Sequence, residues 1–596
     1  MKKLLKRKAV LLLAVLLLLE GCAGTQEPMG GEENQAADET VSSVSVEKET
    51  ANAEDYKIKD NPQIYADDDE TSVVTMYLTV RRGNEAENTN HTWTEVNTFS
   101  KYYYEDNNIP QYAVEGILQV GDENGPLPGE LGYGLNTPNA IIKIRGQTST
   151  KREQKNYKIE LKDEKETWRD QRTINLNKHV GDGSRFSNKL AYDLMKEIPQ
   201  MMSVRTQFVH LYVKDETEGA DAVFQDYGLF TQVEQINKKY LSNHNLDKNG
   251  HLYKINFFEY FRYDDVIKLA TDPGYDQKAF ETYLEIKGDN DHTKLIAMLD
   301  AVNDYAVPIE DTVKKWFDEE NLMYWLGFHI LMGNVDTNAR NYFLYSPLNV
   351  DRFYIISWDN DAALKRDENI LRQIKEGDAW QQGISNYWGN VLYQRMFKSK
   401  EYRDKLTEAI EDLRANYLTL ENVTAKITEY REVVKPYVYS MPDLINAPLT
   451  ETEYEEIAAA MPKEIEENYN RYLESLQKPM PFYIGVPEIK GDSIKFNWDA
   501  AYDFDNENIT YSFELSDDYT FANPIKKENA MRIPEVELPM LEPGQYFIRV
   551  IATNESGKSQ TAFDYYVIDD GKEYGVKCFY VLPDGTIGED NFYEGE

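Results

Sequence analysis

The first half of the chain is dominated by short segments in which apolar and polar residues alternate. Ser72–Val80 is rich in β-branched and aromatic residues, and similar runs return at Asn139–Arg145 and Asn156–Leu161. A period of two is typical of β-strands with one buried face. Further strands are predicted at Phe208–Val213 and Gly228–Ile236. The pattern therefore predicts a sheet-rich first half.

Apolar residues at helical spacing become more common further along the chain. An amphipathic helix is predicted at Asn188–Ile198, helical spacing covers Asp311–Met332, and charged amphipathic helices fill residues 401–477. Two strands, Asn341–Tyr345 and Phe353–Trp358, interrupt this region. Strands followed by helices indicate an α+β domain of two lobes, for which we take the bounds 61–479.

The pattern changes again after Pro479, where short alternating strands return. Predicted strands include Ser493–Trp498, Thr510–Leu515 and Tyr546–Thr553, and Trp498 has the place of a core residue. The run Leu541-x-Pro-Gly-x-Tyr546 before a β-branched strand resembles the late part of a fibronectin type III domain. We therefore predict an all-β sandwich at residues 480–570, followed by an acidic tail at 571–596.

The N-terminus carries a targeting signal. A basic start is followed by the apolar run Ala9–Leu19, which is shorter than the roughly 20 residues that span a bilayer. The run ends in Leu19-Glu20-Gly21-Cys22, which resembles a bacterial lipobox. We predict a signal peptide at 1–21, lipidation of Cys22, a flexible tether at 22–60, and an extracytoplasmic protein that is lipid-anchored to the cell membrane.

Charge and cysteine content exclude several classes of protein. The formal net charge is −39, which disfavours binding to nucleic acid. With only two cysteines, Cys22 and Cys578, the chain has neither a disulfide framework nor a structural zinc site. The seven histidines show no metal-binding spacing, so a zinc hydrolase is not expected.

The segment with the most chemical information lies between the predicted helix and the two late strands. Asp336 is followed at a spacing of Asp-x₄-Asn by Asn341, and the next strand ends in Asp359-Asn360-Asp361. Carboxylate and amide oxygens at adjoining strand ends suit a hard cation such as Mg²⁺. A carboxylate near an accepting hydroxyl is also required for phosphoryl transfer. Asp and Asn that cap a helix and a hairpin are the alternative interpretation.

This segment resembles the signature of the CotH kinases: Gly333-Asn334-x-Asp336-x₄-Asn341-Tyr342, then Trp358-Asp359-x-Asp361. Further segments that resemble this family, in order along the chain, are Ile144-Arg145-Gly146-Gln147-x-Ser149, Lys155-Asn156-Tyr157-Lys158-Ile159, Asn188-Lys189-Leu190-Ala191-Tyr192, Gly228-Leu229-Phe230-x₃-Glu234-Gln235-Ile236 and Leu252-Tyr253-Lys254. The resemblance implies an atypical, two-lobed protein-kinase-like fold. The chain departs from ordinary kinases because it has no Gly-x-Gly-x-x-Gly loop and no Asp-Phe-Gly.

The resemblance also implies roles for individual residues. Asp336 would be the catalytic base, and Asn341 and Asp359 would hold Mg²⁺, with Asp361 as a further ligand. Lys158 would pair with the nucleotide phosphates, with Lys155 as the alternative. The other nucleotide contacts implied are a phosphate-facing loop of Arg145, Gly146 and Ser149, and a hinge beside the adenine of Glu234, Gln235 and Ile236. Asp193 and Glu197 are the candidate partner acids of the lysine.

The function expected on this basis is ATP- and Mg²⁺-dependent phosphorylation, with Mn²⁺ as an alternative metal. The acceptors would be Ser or Thr of surface or spore-coat proteins. The alternative is a non-catalytic binding or scaffold protein of the cell surface that displays a kinase-like domain. Asp336, Asn341 and Asp359 occur together, and this favours the enzyme, because a scaffold has no chemical need for all three.

Overall fold

The computed structural model describes residues 56–219, 221–374, 380–568 and 571–589. They belong to one unit, Asn52–Glu596. The predicted signal peptide 1–21, the lipidation site Cys22 and most of the predicted tether lie outside the described residues. None of the described helices combines the length and the apolar character needed to cross a membrane.

An eight-stranded sheet forms the first part of the described chain. Its strands are β1 Val73–Arg81, β2 Val114–Asp122, β3 Gly125–Pro126, β4 Ala140–Arg145, β5 Asn156–Leu161, β6 Thr173–Asn177, β7 Thr206–Asp215 and β8 Gln225–Glu234. The order is β1-β7-β8-β6-β5-β4-β2-β3, and β1 also pairs with β2. Seven strands therefore close into a ring. All its pairings are antiparallel except the parallel β1–β7 pair.

The alternation in β4 and β5 separates two faces of this ring. Ile142 and Ile159 are fully buried in a core to which every strand of the ring contributes. Burial of each such side chain stabilises the fold by about 1.5–3 kcal/mol relative to an exposed one. Lys143 is paired with Lys158 on the opposite, polar face. The sequence thus directs its charged residues to the face on which the candidate site lies.

A second sheet and most of the helices build a separate, larger core. The sheet has the order β10-β9-β11-β12, formed by β9 His251–Ile255, β10 Leu284–Ile286, β11 Tyr342–Ser346 and β12 Tyr354–Ser357. The helices are α1 Trp93–Thr98, α2 Lys101–Asn107, α3 Ser187–Met195, α4 Lys238–Asn243, α5 Gln277–Phe280, α6 Thr293–Asn303, α7 Ile309–Trp316, α8 Glu319–Leu331, α9 Arg366–Leu371, α10 Val391–Lys398, α11 Lys400–Asp412, α12 Leu420–Val438 and α13 Glu451–Ser475. This mixed content agrees with the predicted α+β class.

The helical spacing over Asp311–Met332 belongs to two helices, which corrects the prediction of one continuous helical segment. Phe317 is extended between α7 and α8 and forms an isolated bridge with Phe353. Asp318 then caps α8, because its Oδ1 accepts a hydrogen bond of 2.8 Å from the backbone N–H of Asn321. The break is made by this cap and by a contact with a distant strand.

The start of the folded region also differs from the predicted tether at 22–60. Ile58 is buried in the helical core, and Tyr56 packs against that core. Asp60 accepts a hydrogen bond of 2.7 Å from Tyr65 Oη and forms an ion pair with His244. Residues 56–60 therefore belong to the folded domain rather than to the predicted tether.

The C-terminal sandwich, residues 482–589, contains two sheets around a shared core. Its strands are β13 Glu488–Lys490, β14 Ser493–Asn497, β15 Thr510–Ser516, β16 Lys526–Met531, β17 Glu535–Pro539, β18 Gly544–Thr553, β19 Ser559–Thr561, β20 Tyr565–Ile568, β21 Gly571–Tyr574, β22 Val576–Val581 and β23 Ile587–Glu589. One sheet has the order β13-β14-β17 and the other β16-β15-β18-β22-β23. Trp498 lies in the core, as predicted.

The predicted boundary at residue 570 is wrong. Strand β22 pairs with β18 along six residues, from Val576 to Val581, and Phe579 is fully buried in the sandwich core. The segment 571–589, interpreted as part of an acidic tail, therefore supplies an inner strand of the second sheet. The short β20–β21 hairpin is inserted between β18 and β22.

Candidate active site

The Asp336 loop, defined as residues 333–341, connects α8 to β11. Gly333 has φ +61°, in the left-handed region that favours glycine, and a single turn of 3₁₀-helix follows at Val335–Thr337. Three side chains hold the loop through contacts from the segment after α9. These are Asn386 Nδ2 to Val335 O at 3.0 Å, Tyr387 Oη with Thr337 Oγ1 at 2.7 Å, and Asn390 Nδ2 to Asn338 O at 3.2 Å.

Asp336 remains accessible within this fixed loop, since 38% of its side-chain surface is exposed. Its Oδ1 accepts a hydrogen bond of 2.9 Å from Arg340 Nη2, one helical turn later. The charge of Asp336 raises the pKa of Arg340, so this arginine stays a cation. The loop thus presents an oriented carboxylate to solvent.

The β11–β12 hairpin brings Asn341 beside Asp359. The backbone N–H of Trp358 donates to the carbonyl of Asn341 at 3.0 Å, so the two residues meet at the same end of the hairpin. Asn341 has φ 63° and Asp359 has φ 57°. Left-handed backbone at residues other than glycine costs energy and is concentrated at functional sites. Two of the predicted metal ligands therefore share a hairpin end and a strained backbone.

The carboxylate of Asp359 lies in an unfavourable electrostatic environment. Burial and, to a smaller extent, the charge of Asp361 raise its pKa to about 6. Arg145, His179 and Lys254 oppose this shift. His179 Nδ1 lies 3.8 Å from Asp361 Oδ2. Two neighbouring acids, one of them half-buried, favour a bound cation at this position.

Helix α3 holds the turn that carries these acids. The backbone N–H of Asp359 donates to Tyr192 Oη at 3.0 Å, and the N–H of Asn360 donates to Asn188 Oδ1 at 2.9 Å. Both side chains come from the buried helix between β6 and β7. The turn geometry therefore depends on α3 as well as on the hairpin.

Arg145 connects the ring of strands to this turn. Its Nη1 donates to Asn177 Oδ1, and its guanidinium lies over the ring of Trp358, 5.8 Å from the centroid. Burial lowers the pKa of Arg145, while Asp359 opposes that shift. The structure thus brings Arg145 close to the predicted metal ligands, and its phosphate-facing role stays a prediction.

Lys158 lies on the polar face of β5 and contacts an acid that the sequence interpretation did not consider. Its Nζ lies 2.6 Å from Glu160 Oε1. Burial lowers the pKa of Lys158, and Glu160 counteracts the shift. Residues two apart on a strand share a face, so this partner could have been found from the alternation alone.

The two partner acids considered for the lysine are engaged elsewhere. Asp193 is fully buried and lies 2.7 Å from both Lys189 and Lys196. Glu197 lies 3.4 Å from Lys426. The helix of the predicted ion pair therefore stabilises the interior instead of orienting Lys158.

Gly146, Ser149 and Lys155 shape the loop after β4. Gly146 has φ +104°, and a Cβ there would lie 2.0 Å from Ser149 Oγ, so only glycine fits. Asn156 Nδ2 donates to Ser149 Oγ at 3.2 Å, and Lys155 Nζ donates to the carbonyl of Thr150 at 2.8 Å. Lys155 fixes the loop backbone, so of the two candidate lysines only Lys158 lies on the polar face of β5.

The predicted hinge residues are mostly interior. The carboxylate of Glu234 accepts hydrogen bonds from Arg205, at 2.6 Å to Nη2, and lies 3.2 Å from His244 Nε2. These two partners lower its pKa to about 2 against the effect of burial. Ile236 is fully buried, and Gln235 accepts a hydrogen bond from Asn175 Nδ2 at 3.1 Å. The side chain of Glu234 is thus used inside the fold.

Comparison with known proteins assigns the family. Residues 142–472 match the family model described as CotH kinase protein, which is more than half of the chain. The chain belongs to the CotH kinase family. The matched region contains every predicted site residue described above.

Two solved structures share partial similarity with this CotH family member. The twitchin kinase region from C. elegans is 19% identical over 16% of this chain and 20% of that chain, with a TM-score of 0.12. The HipA, HipB and operator DNA complex of Shewanella oneidensis MR-1 is 11% identical over 50% of this chain and 58% of that chain, with a TM-score of 0.20. The chain thus spans less than two thirds of either. The search of curated proteins gives no match.

Several functional candidates of the CotH domain were missed by sequence reasoning. Lys254 on β9 is half-buried, and its pKa is lowered by burial while Glu285 and Asp359 oppose the shift. The segment Leu252-Tyr253-Lys254 resembles the family, but the resemblance gives Lys254 no role. His179, Asn188 and Tyr192 were missed because their contacts with the Asp359 turn span more than 160 residues.

The residues of the site fit a hard divalent cation. Asn341, Asp359 and Asp361 offer oxygen ligands, and Mg²⁺ usually completes such a partial set with water and phosphate oxygens. Within the described ranges, no group of three or more His, Cys, Asp or Glu side chains is placed to hold a metal ion. A ligand set of two carboxylates and one amide is smaller than such a group, as expected where the nucleotide supplies the remaining ligands.

Proposed function

We propose that this CotH family member is an atypical protein kinase with a two-lobed catalytic domain, which transfers the γ-phosphoryl group of ATP to Ser or Thr hydroxyls. The observation that supports this most directly is the meeting of Asn341 and Asp359 at one hairpin end, directly after the loop that presents Asp336. Arg145 and Lys254 place positive charge beside that hairpin end. This combination of two cations, two acids and an amide suits the phosphates and the metal of a nucleotide.

The proposed step uses the residues as follows. The acceptor hydroxyl oxygen attacks the γ-phosphorus, the bond from phosphorus to the β–γ bridging oxygen breaks, and ADP leaves. Asp336 takes the hydroxyl proton; Arg340 occupies Oδ1, so we assign this transfer to Oδ2. Arg145 and Lys158 bind phosphate oxygens. Asn341, Asp359 and Asp361 would hold Mg²⁺, or Mn²⁺ as the alternative, which would neutralise phosphate charge.

The proposal extends to cellular location. The basic start, the short apolar run and the lipobox-like ending at Cys22 support an extracytoplasmic protein that is lipid-anchored to the bacterial membrane. Its acceptors would then be proteins of the surface or the spore coat.

The C-terminal sandwich is proposed to be a fibronectin type III-like domain. Support comes from its two sheets, one of three strands and one of six, which share a core, and from Tyr546, whose Oη donates to the carbonyl of Glu542 at 2.9 Å. A tyrosine that bonds back to the backbone a few residues upstream is typical of such sandwiches.

A non-catalytic surface-binding role is the second candidate. It is favoured by one observation: Lys158 contacts Glu160, whereas Asp193 and Glu197, the acids considered for orienting it, are engaged by other lysines. An internal pair of this kind is compatible with a domain that has retained the fold and lost turnover.

Transfer of labelled γ-phosphate to β-casein and to the chain itself tests the proposal. The full chain would be compared with Asp336→Asn, Asp359→Asn and the control Asp163→Asn, whose side chain is 97% exposed. We expect each site variant to lose at least about 100-fold in rate, the usual contribution of a positioned base or charge, and the control to retain full activity. Mg²⁺-dependent ADP binding by a wild type that transfers no phosphate would indicate a kinase that needs another acceptor. Wild type that neither transfers phosphate nor binds nucleotide would overturn the kinase proposal and favour the second candidate.

A further inference from the structure

The C-terminal sandwich packs on residues 380–391, here called the bridging segment. This segment lies in the helical region, after α9 and up to the start of α10. Trp388 contacts the rings of Tyr502 and Phe504, at centroid distances of 5.5 and 5.8 Å. Trp380 contacts Phe563 at 5.0 Å. Both tryptophans are at least 92% buried, since their exposures are 8% and 4%. The sandwich and the bridging segment thus share a continuous aromatic contact.

A hydrogen bond and a cationic side chain reinforce this aromatic contact. Tyr574 Oη donates to Gln381 Oε1 at 2.6 Å, from the β20–β21 hairpin. Lys398 Nζ lies over the rings of both Trp388 and Tyr502, 5.5 and 5.3 Å from their centroids. The hairpin therefore fixes one end of the bridging segment, while the Tyr502 region fixes the other.

The same segment holds the Asp336 loop from its opposite side. Asn386, Tyr387 and Asn390 bond to three successive parts of that loop, as described above. Tyr387 is 1% exposed and Asn390 is 2% exposed, so both contacts lie in the interior of the protein. The bridging segment is thus held between the C-terminal sandwich and the loop that carries the proposed base.

The hairpin also approaches the loop from the outside. Tyr565 on β20 contributes, after Asp336 and Asp359, to the raised pKa of Arg340, so this strand of the hairpin lies near that arginine. Tyr565 and Tyr574 are paired across the hairpin.

We propose that the C-terminal sandwich positions the Asp336 loop through the bridging segment. Its Tyr502, Phe563 and Tyr574 are then positioning residues. This rests on the proposed function for its activity readout only. The positioning itself is a property of the fold and can be measured without nucleotide.

Hydrogen exchange of the full chain tests the positioning. In Tyr502→Ala we expect the amides of residues 333–341 to exchange about tenfold faster, because loss of the ring loosens Trp388 and the segment behind it. Tyr519→Ala is the matched control: this tyrosine is also half-buried in the sandwich, and its ring contacts Phe547 and Tyr566 instead. Tyr502→Phe keeps the ring and should restore slow exchange. Tyr574→Phe, which removes the bond to Gln381 and keeps the ring, serves if Tyr502→Ala does not fold.

The activity readout separates positioning from binding. With β-casein as acceptor, we expect Tyr502→Ala to lower kcat about tenfold while the Kd for Mg·ADP stays within about twofold of wild type. The inference is overturned if the exchange of residues 333–341 is unchanged in both Tyr502→Ala and Tyr574→Phe. It is also overturned if Tyr519→Ala accelerates that exchange equally. If wild type neither transfers phosphate nor binds nucleotide, the proposed function has failed, and the exchange result alone decides the positioning role.

Discussion

At the scale of single residues, Asp359 combines burial with a neighbouring negative charge. Its pKa of about 6 lies above the ordinary value of 3.8, so the folded state binds more protons between these values. Stability should therefore fall as pH rises through that window and remain low at pH 7. Asp359→Asn removes the effect, and we expect it to raise the free energy of unfolding at pH 7 by about 1–2 kcal/mol in the absence of metal.

Urea denaturation between pH 4 and pH 7.5 measures this effect. The difference between wild type and Asp359→Asn should be small at pH 4 and grow towards pH 7, because the other titrating groups cancel in the comparison. Mg²⁺ with ADP should stabilise wild type and leave the variant unchanged. A constant difference across the pH range would mean that Asp359 is not strained by its environment.

At the scale of structural elements, the Asp336 loop depends on Gly333. A Cβ at this position would lie 2.7 Å from Asn468 Nδ2, which donates a hydrogen bond of 3.0 Å to the carbonyl of Leu331. Gly333→Ala therefore adds a clash to the cost of a left-handed backbone. We expect a loss of about 2–3 kcal/mol of stability together with loss of nucleotide binding.

Gly274→Ala isolates the backbone cost. Gly274 has φ +76°, and its nearest neighbour is the flexible end of Lys268 at 3.7 Å. This variant should lose only about 1 kcal/mol and bind nucleotide normally. Equal losses in the two variants, measured by urea denaturation, would show that the contact with Asn468 does not matter.

Some structural elements could be predicted from the sequence and others could not. Strands β4 and β5 were found because their period-two alternation is local, and the meeting of Asn341 and Asp359 followed from a hairpin. The break before α8 was missed because the apolar spacing continues across it, and the bridge to Phe353 is not local. Strand β22 was missed because its partner, β18, lies beyond the inserted hairpin and its surroundings are acidic.

The same distinction between local and distant features applies to the residues of the candidate site. Residue types and their order along the chain could be predicted, whereas ion partners could not where they depend on packing of distant elements. Asp193 was placed on the right helix, yet its burial beside Lys189 and Lys196 directs it away from Lys158. Tyr192 was seen only as part of a motif, although its hydroxyl holds the Asp359 turn.

At the scale of the whole molecule, the chain joins a ring of strands, a helical region with its own sheet, and a sandwich. Arg145 from the ring lies beside the Asp359 turn, and the sandwich reaches the Asp336 loop through residues 380–391. All three regions thus converge on the two loops that carry the proposed chemistry. A truncation after residue 480 would expose Trp380 and Trp388, so it is a poor test of an independent kinase domain.

The last prediction concerns the proposed attachment of this molecule to the membrane. The full sequence has a net charge of −39, which disfavours binding to anionic lipid, so the proposed attachment would come from acylated Cys22 or from the apolar run before it. We expect Cys22→Ala to move the protein from the detergent phase to the aqueous phase in Triton X-114 partitioning, and to lose incorporation of an alkyne-labelled fatty acid. Cys578→Ala is the matched control, because this buried thiol accepts a hydrogen bond of 3.3 Å from Gln545 within the sandwich. It should partition and label like wild type. Retention of Cys22→Ala in the detergent phase would instead assign the attachment to the uncleaved run Ala9–Leu19.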